Sequence, residues 1–133
     1  MIELPLPTNY NKTRILNSID SKKDIEGLTN YNKDNLKIIP CTALAVLFVL
    51  DYYKIDIKRK KICIIGYSEL VGRPLEKIFF SKNITPIICR SNTLDLKSIT
   101  KNCDIIISAV GKPNLITKEM VKDGAVILDI GIT

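Results

Sequence analysis

The sequence predicts an α/β protein built on a parallel, doubly wound sheet, and three observations carry that prediction. From residue 61 onward, four short apolar runs rich in β-branched residues alternate with segments of helical spacing. The runs exit at glycine or turn residues, and the stretches between them are long enough for the crossovers that parallel neighbours require. With 133 residues, 46% hydrophobic and 26% charged, the chain has the make-up of a folded domain with one core.

Residues 1–56 form the less regular part. They carry Leu4-Pro5-Leu6-Pro7, a short helical pattern over residues 12–19, and then a long polar connection. Pro40-Cys41-Thr42 reads as a helix start, with Thr42 as N-cap and residues 43–53 as the body. That helix is apolar almost all round, so it should be buried. Strands are expected over 62–65, 85–89, 104–109 and 125–130, and helices over 74–81, 95–100 and 117–121. The expected division is 1–56 and 57–133, the second being a parallel-sheet unit cut short at Thr133.

Composition narrows the chemistry. The longest apolar run, residues 43–50, is far shorter than the roughly 20 residues that span a bilayer. No leader pattern opens the chain, so a cytoplasmic protein without membrane association is expected. The four cysteines (Cys41, Cys63, Cys89, Cys103) are widely spaced, and three lie in or beside strand-like runs, as buried thiols rather than metal ligands would. Histidine is absent, which removes the usual general base and the commonest metal ligand. Lys and Arg total 20 against 14 acidic residues, a net charge of +6 that favours phosphate-bearing ligands. The basic residues are scattered without interleaved aromatics, so nucleic acid is not the expected partner.

In open α/β sheets, ligands sit beyond the carboxyl ends of the strands, where the following helix offers free N–H groups. The first such turn is Gly66-Tyr67-Ser68-Glu69-Leu70-Val71-Gly72-Arg73-Pro74. Gly66 permits a sharp exit, Gly72 permits close packing, and Pro74 suits a first helical turn. Its glycine spacing is not the usual dinucleotide fingerprint, so a phosphate cradle and an ordinary strand–helix turn both remain open. After the second strand comes Cys89-Arg90-Ser91-Asn92-Thr93, with no carboxylate before Asp95. Where a dinucleotide fold meets the adenine ribose, an arginine suits the 2′-phosphate of NADP; the alternative is a solvent-facing loop arginine. Ala109-Val110-Gly111-Lys112-Pro113 and Asp129-Ile130-Gly131-Ile132 close the later strands.

In order, these residues resemble the tetrahydrofolate dehydrogenase/cyclohydrolase family. The family's G-x-S-x-x-V-G-x-P turn is matched from Gly66 to Pro74, C-x-S-x-T from Cys89 to Thr93, A-x-G-x-P from Ala109 to Pro113, and G-A-V-x-x-D-x-G-I from Gly124 to Ile132. Upstream, Leu4-Pro5-Leu6-Pro7, Lys23-Asp24-Ile25-Glu26-Gly27 and Pro40-Cys41-Thr42 resemble its Q-L-P-L-P, K-D-V-D-G and P-C-T-P segments. The resemblance implies a Rossmann-like cofactor domain preceded by part of an α/β catalytic domain. The implied activity is NADP-dependent oxidation of methylenetetrahydrofolate and hydrolysis of the methenyl product to formyltetrahydrofolate, in a homodimer.

Residue by residue, the resemblance gives Gly66, Tyr67, Ser68, Arg90, Ser91 and Ile132 to the cofactor, and Glu3, Leu4, Pro5 and Glu26 to the folate. Departures from the pattern accompany these matches. The family's catalytic lysine, in a Y-x-x-x-K helix, belongs before Ile2, so no intact catalytic residue is expected in this chain. Glu3 replaces a glutamine, Glu26 an aspartate, Ala43 a proline, and Tyr67 a residue that is often arginine. The P-G-G-V-G-P loop belongs beyond Thr133. The expectation that follows is weak NADP binding without turnover, as in an inactive remnant.

Overall fold

The computed structural model describes Ile2 and residues 4–131. Its sheet holds four parallel strands, β1 (Ile62–Ile65), β2 (Ile87–Cys89), β3 (Ile105–Ser108) and β4 (Val126–Asp129), in the order β2-β1-β3-β4. Every residue of the central strands β1 and β3 is buried, as continuous apolar runs in a sheet covered on both faces should be. Alternate side chains divide between two cores. Ile62, Ile64, Ile105 and Ile107 face α3 (Cys41–Tyr52) and α4 (Gly72–Ser81) through Val46, Leu50, Leu75 and Phe79. Cys63, Ile65 and Ile106 face the other way, toward Leu96 and Ile99 of α5 (Leu96–Lys101) and toward Leu115, Ile116 and Val121.

The expected elements are present, with local differences. β2 begins only at Ile87, because Pro86 has no N–H to give to a ladder. Thr42 is not an N-cap: α3 starts at Cys41, the capping position is Pro40, and no side chain caps it. Pro40, at φ −52° and ψ 137°, turns the chain into the helix by its own geometry, which leaves Thr42 inside the first turn. Only one stripe of α3 is buried, at Ala43, Val46 and Leu50, while Leu44, Phe48 and Tyr52 are exposed. The helix expected at 117–121 is a single 3-10 turn, Lys118–Met120.

Before the sheet, α1 (Lys12–Asn17) is capped by Asn11, whose side chain accepts from the Arg14 N–H. The polar connection contains an unexpected helix, α2 (Asn30–Asn35), capped by the Thr29 hydroxyl and ended by Leu36 in the left-handed region at φ 49°. Asp24 anchors this segment. Its buried carboxylate accepts from the Leu28 N–H at 2.9 Å, the Thr29 N–H at 2.8 Å and the Asn32 side-chain amide at 2.8 Å.

Candidate functional site

The strand order reverses its direction of growth between β1 and β3, since β2 lies on one side of β1 and β3 on the other. Beyond the carboxyl ends of two such strands the loops part, and that crevice is where open α/β sheets bind ligands. The turns after β1, β2 and β3 meet there. The Gly66 N–H donates to the Cys89 carbonyl at 2.9 Å, and the Ala109 N–H donates to the Ile65 carbonyl at 2.8 Å.

Backbone proximity explains the first turn. Gly66 lies at φ +98°, and a Cβ there would stand 2.9 Å from the Ala109 carbonyl oxygen. At Gly72 a Cβ would meet the Gly66 carbonyl oxygen at 2.3 Å and the Tyr67 Cα at 2.7 Å, so α4 begins pressed against the turn that precedes it. No side chain caps the amino end of α4; the Arg73 N–H is taken by the Ser68 carbonyl and Pro74 has none, so this end offers the Gly72 N–H and the positive end of the helix dipole. Ser68 is exposed in the same turn, and its carbonyl accepts from the Arg73 N–H at 3.1 Å.

The structure brings Tyr67 and Arg90 together. The Arg90 guanidinium carbon lies 4.0 Å from the centroid of the Tyr67 ring, and that of Arg73 lies 5.4 Å away. The Tyr67 hydroxyl donates to the Glu76 carboxylate on α4, a bond that raises the phenol pKa, with burial adding to the rise. The Arg90 loop is closed by its own bonds: the Arg90 N–H donates to the Thr93 hydroxyl at 2.7 Å, and the Thr93 N–H to the Arg90 carbonyl at 2.9 Å. Ser91 is exposed at the tip of this loop.

Beside Tyr67 opens a cleft of about 460 Å³ between α2 and α4, lined in part by Lys33, Glu69, Arg73 and Lys77. Glu69 joins three segments, with Lys12 of α1 at 3.2 Å and Lys33 of α2 at 3.1 Å. Burial pushes the Glu69 pKa up, but the two ammonium groups outweigh it and the net shift is downward. Lys77 of α4 donates to the Lys33 carbonyl at 2.8 Å.

The residues expected on the folate side are more dispersed. Glu26 lines a recess of about 130 Å³ with Ile2, Lys23 and Asp24. Leu4 and Pro5 do not line it. Glu3 and Ile132 lie outside the described residues. Glu76 and Arg73 were not anticipated; the nearest signal was their place on the first turns of the helix that follows the glycine turn.

A family model for the tetrahydrofolate dehydrogenase/cyclohydrolase NAD(P)-binding domain matches residues 40–133. The chain belongs to that family. Among relatives, it is 43% identical over 137 residues to the bifunctional protein FolD of Nautilia profundicola, a match covering 99% of this chain and 48% of the relative. It is 42% identical to the bifunctional protein FolD of Acholeplasma laidlawii, covering 99% of this chain and 50% of the relative. A crystal structure of the bifunctional FolD enzyme from Campylobacter jejuni superposes with a TM-score of 0.93 at 39% identity, over 98% of this chain and 49% of that one. The FolD of Trypanosoma brucei, crystallised with NADP cofactor and inhibitor, superposes with a TM-score of 0.91 at 31% identity, over 97% of this chain and 46% of that one. The chain thus spans about half the length of the relatives it matches.

Within the family's NAD(P)-binding domain, the turns after β1 and β2 are where this chain's own chemistry fits a dinucleotide. Gly66 and Gly72 keep side chains away from the turn, the positive dipole end of α4 follows it, and the exposed Arg90 suits an anion.

Proposed function

We propose that this chain is the NADP-binding half of an enzyme that oxidises 5,10-methylenetetrahydrofolate to methenyltetrahydrofolate and hydrolyses that product to 10-formyltetrahydrofolate. Bound NADP supplies the hydride acceptor. The chain's own part is to hold and orient it. By the family pattern, Gly66, Ser68 and the backbone of Tyr67 form the pyrophosphate turn, Arg90 and Ser91 serve the adenosine ribose, and Ile132 is assigned to the cofactor. Leu4, Pro5, Glu3 and Glu26 belong to the folate side, with 1–56 as the folate-binding segment and 57–133 as the nucleotide-binding unit. A cytoplasmic homodimer completes this reading.

The observation that carries it is Arg90. Its side chain stands at the carboxyl end of β2, beside the Gly66 turn, and no carboxylate pairs with it among the described residues. An unpaired guanidinium at this position suits a ribose 2′-phosphate, whereas a carboxylate would suit the free hydroxyls of NAD. Arg90→Ala is therefore expected to weaken NADP about 10- to 100-fold and NAD less than about twofold, the worth of one charge-assisted contact. Titration calorimetry with both cofactors measures this, and equal losses for the two would refute the assignment.

Activity is tested by methenyltetrahydrofolate absorbance with purified chain, methylenetetrahydrofolate and NADP. The expected outcome is NADP binding without turnover, since the family's lysine segment is not in this chain. Turnover that depends on both compounds would overturn the reading of this chain as a cofactor-binding half without an intact catalytic residue.

A further inference from the structure

The guanidinium of Arg90 is held by a residue that carries no charge itself. Its carbon lies 4.0 Å from the Tyr67 ring centroid, close enough for the cation to rest on the π face. The ring is in turn fixed through its hydroxyl, which donates to Glu76 on α4. Tyr67 is half-buried, its Cα lies against the start of α4 at Gly72, and Arg90 is otherwise exposed. Arg90 therefore gains its orientation from Tyr67, and Tyr67 gains its own from α4.

A guanidinium stacked by its face keeps its N–H groups in the plane, directed outward and free to bond phosphate oxygens. An arginine on a surface loop without such a support samples many rotamers and loses that freedom on binding. The two N–H···O contacts within the Arg90–Thr93 turn hold the backbone but not the side chain, so the ring is what remains to hold it.

We propose that Tyr67 is a specificity-determining positioning residue, a platform that presents Arg90 to a phosphate monoester on the ribose of an adenine nucleotide. This rests on the reading of Arg90 given above. Tyr67 acts through Arg90, so its removal costs affinity for a 2′-phosphorylated nucleotide and spares the unphosphorylated one.

Adenosine 2′,5′-bisphosphate and 5′-AMP, titrated into the full chain by calorimetry, separate the two claims. The wild-type chain is expected to prefer the bisphosphate, and Arg90→Ala to lose that preference. Tyr67→Leu, which removes the ring but stays apolar, is expected to weaken the bisphosphate about five- to tenfold and 5′-AMP less than about twofold. Tyr67→Phe keeps the face but not the tie to Glu76, and is expected to fall between wild type and Tyr67→Leu. The ratio of the two affinities is unaffected by any fraction of misfolded protein. If Arg90→Ala abolishes the preference while Tyr67→Leu keeps it, or if Tyr67→Leu weakens both nucleotides alike, the platform role is wrong and the Arg90 assignment stands. If wild type and Arg90→Ala bind both nucleotides alike, the Arg90 assignment fails and the platform falls with it.

Discussion

Asp24 is a buried carboxylate whose partners are two backbone N–H groups and one side-chain amide, with no cation among them. Burial by itself raises its pKa, yet the Thr29 and Leu28 N–H groups and the Asn32 amide outweigh burial and hold it at about 2, against 3.8 for the free group. The folded state thus binds its proton less readily than the unfolded chain. The resulting stabilisation is complete above the unfolded pKa and is lost as pH falls through the folded one, and it amounts to about 2 kcal/mol. Urea denaturation at pH 6 and at pH 2.5 should show this loss, and Asp24→Asn should be less stable at pH 6 with a shallower acid dependence. An unchanged acid slope in the variant would remove Asp24 from this role. Neighbouring Glu26 is legible as a ligand residue from the family pattern, whereas the role of Asp24 emerges only when Leu28, Thr29 and Asn32 fold back on it.

Among elements, α4 was the most legible. Leu75, Ile78 and Phe79 recur at helical spacing and are all buried, and the glycine turn before them marks the start. Phe79 is fully buried between sheet and helix, so Phe79→Ala should cost about 3–5 kcal/mol, read as a fall in the urea midpoint with little change in slope. A cost below about 1 kcal/mol would mean that α4 is not a principal wall of this core. The four strands were equally visible as β-branched runs. α2 was not, because its residues carry no apolar period; a cap at Thr29, the buried Asn32 and the lysine contacts to Glu69 and from α4 hold it instead. For the site, Gly66 and Arg90 could be found from their places after strands. The Tyr67–Glu76 bond could not, since it joins a turn to the next helix and no local periodicity encodes it.

At the scale of the molecule, Glu69 ties α1 and α2 to the β1–α4 turn and Lys77 ties α2 to α4, which joins the segment before the sheet to the nucleotide edge. Each exposed tie is worth little alone, and their value lies in linking three segments. Among the described residues no helix is long and apolar enough to cross a membrane. The second core holds Cys63, Cys89 and Cys103, with the Cys63 and Cys89 sulfurs 3.5 Å apart, while Cys41 is exposed at the start of α3. Burial pushes all three inner thiols up, so they are protonated and inert at neutral pH. The chain therefore carries its own chemical stopwatch. A pulse of alkylating reagent should tag Cys41 at once, and the inner three should be tagged together, at a rate set by how often the whole sheet opens. Mass spectrometry reads that rate without an added dye, and a nucleotide that binds the folded state slows it in proportion to its occupancy. Stepwise tagging of the inner thiols would instead reveal that the sheet comes apart one strand at a time.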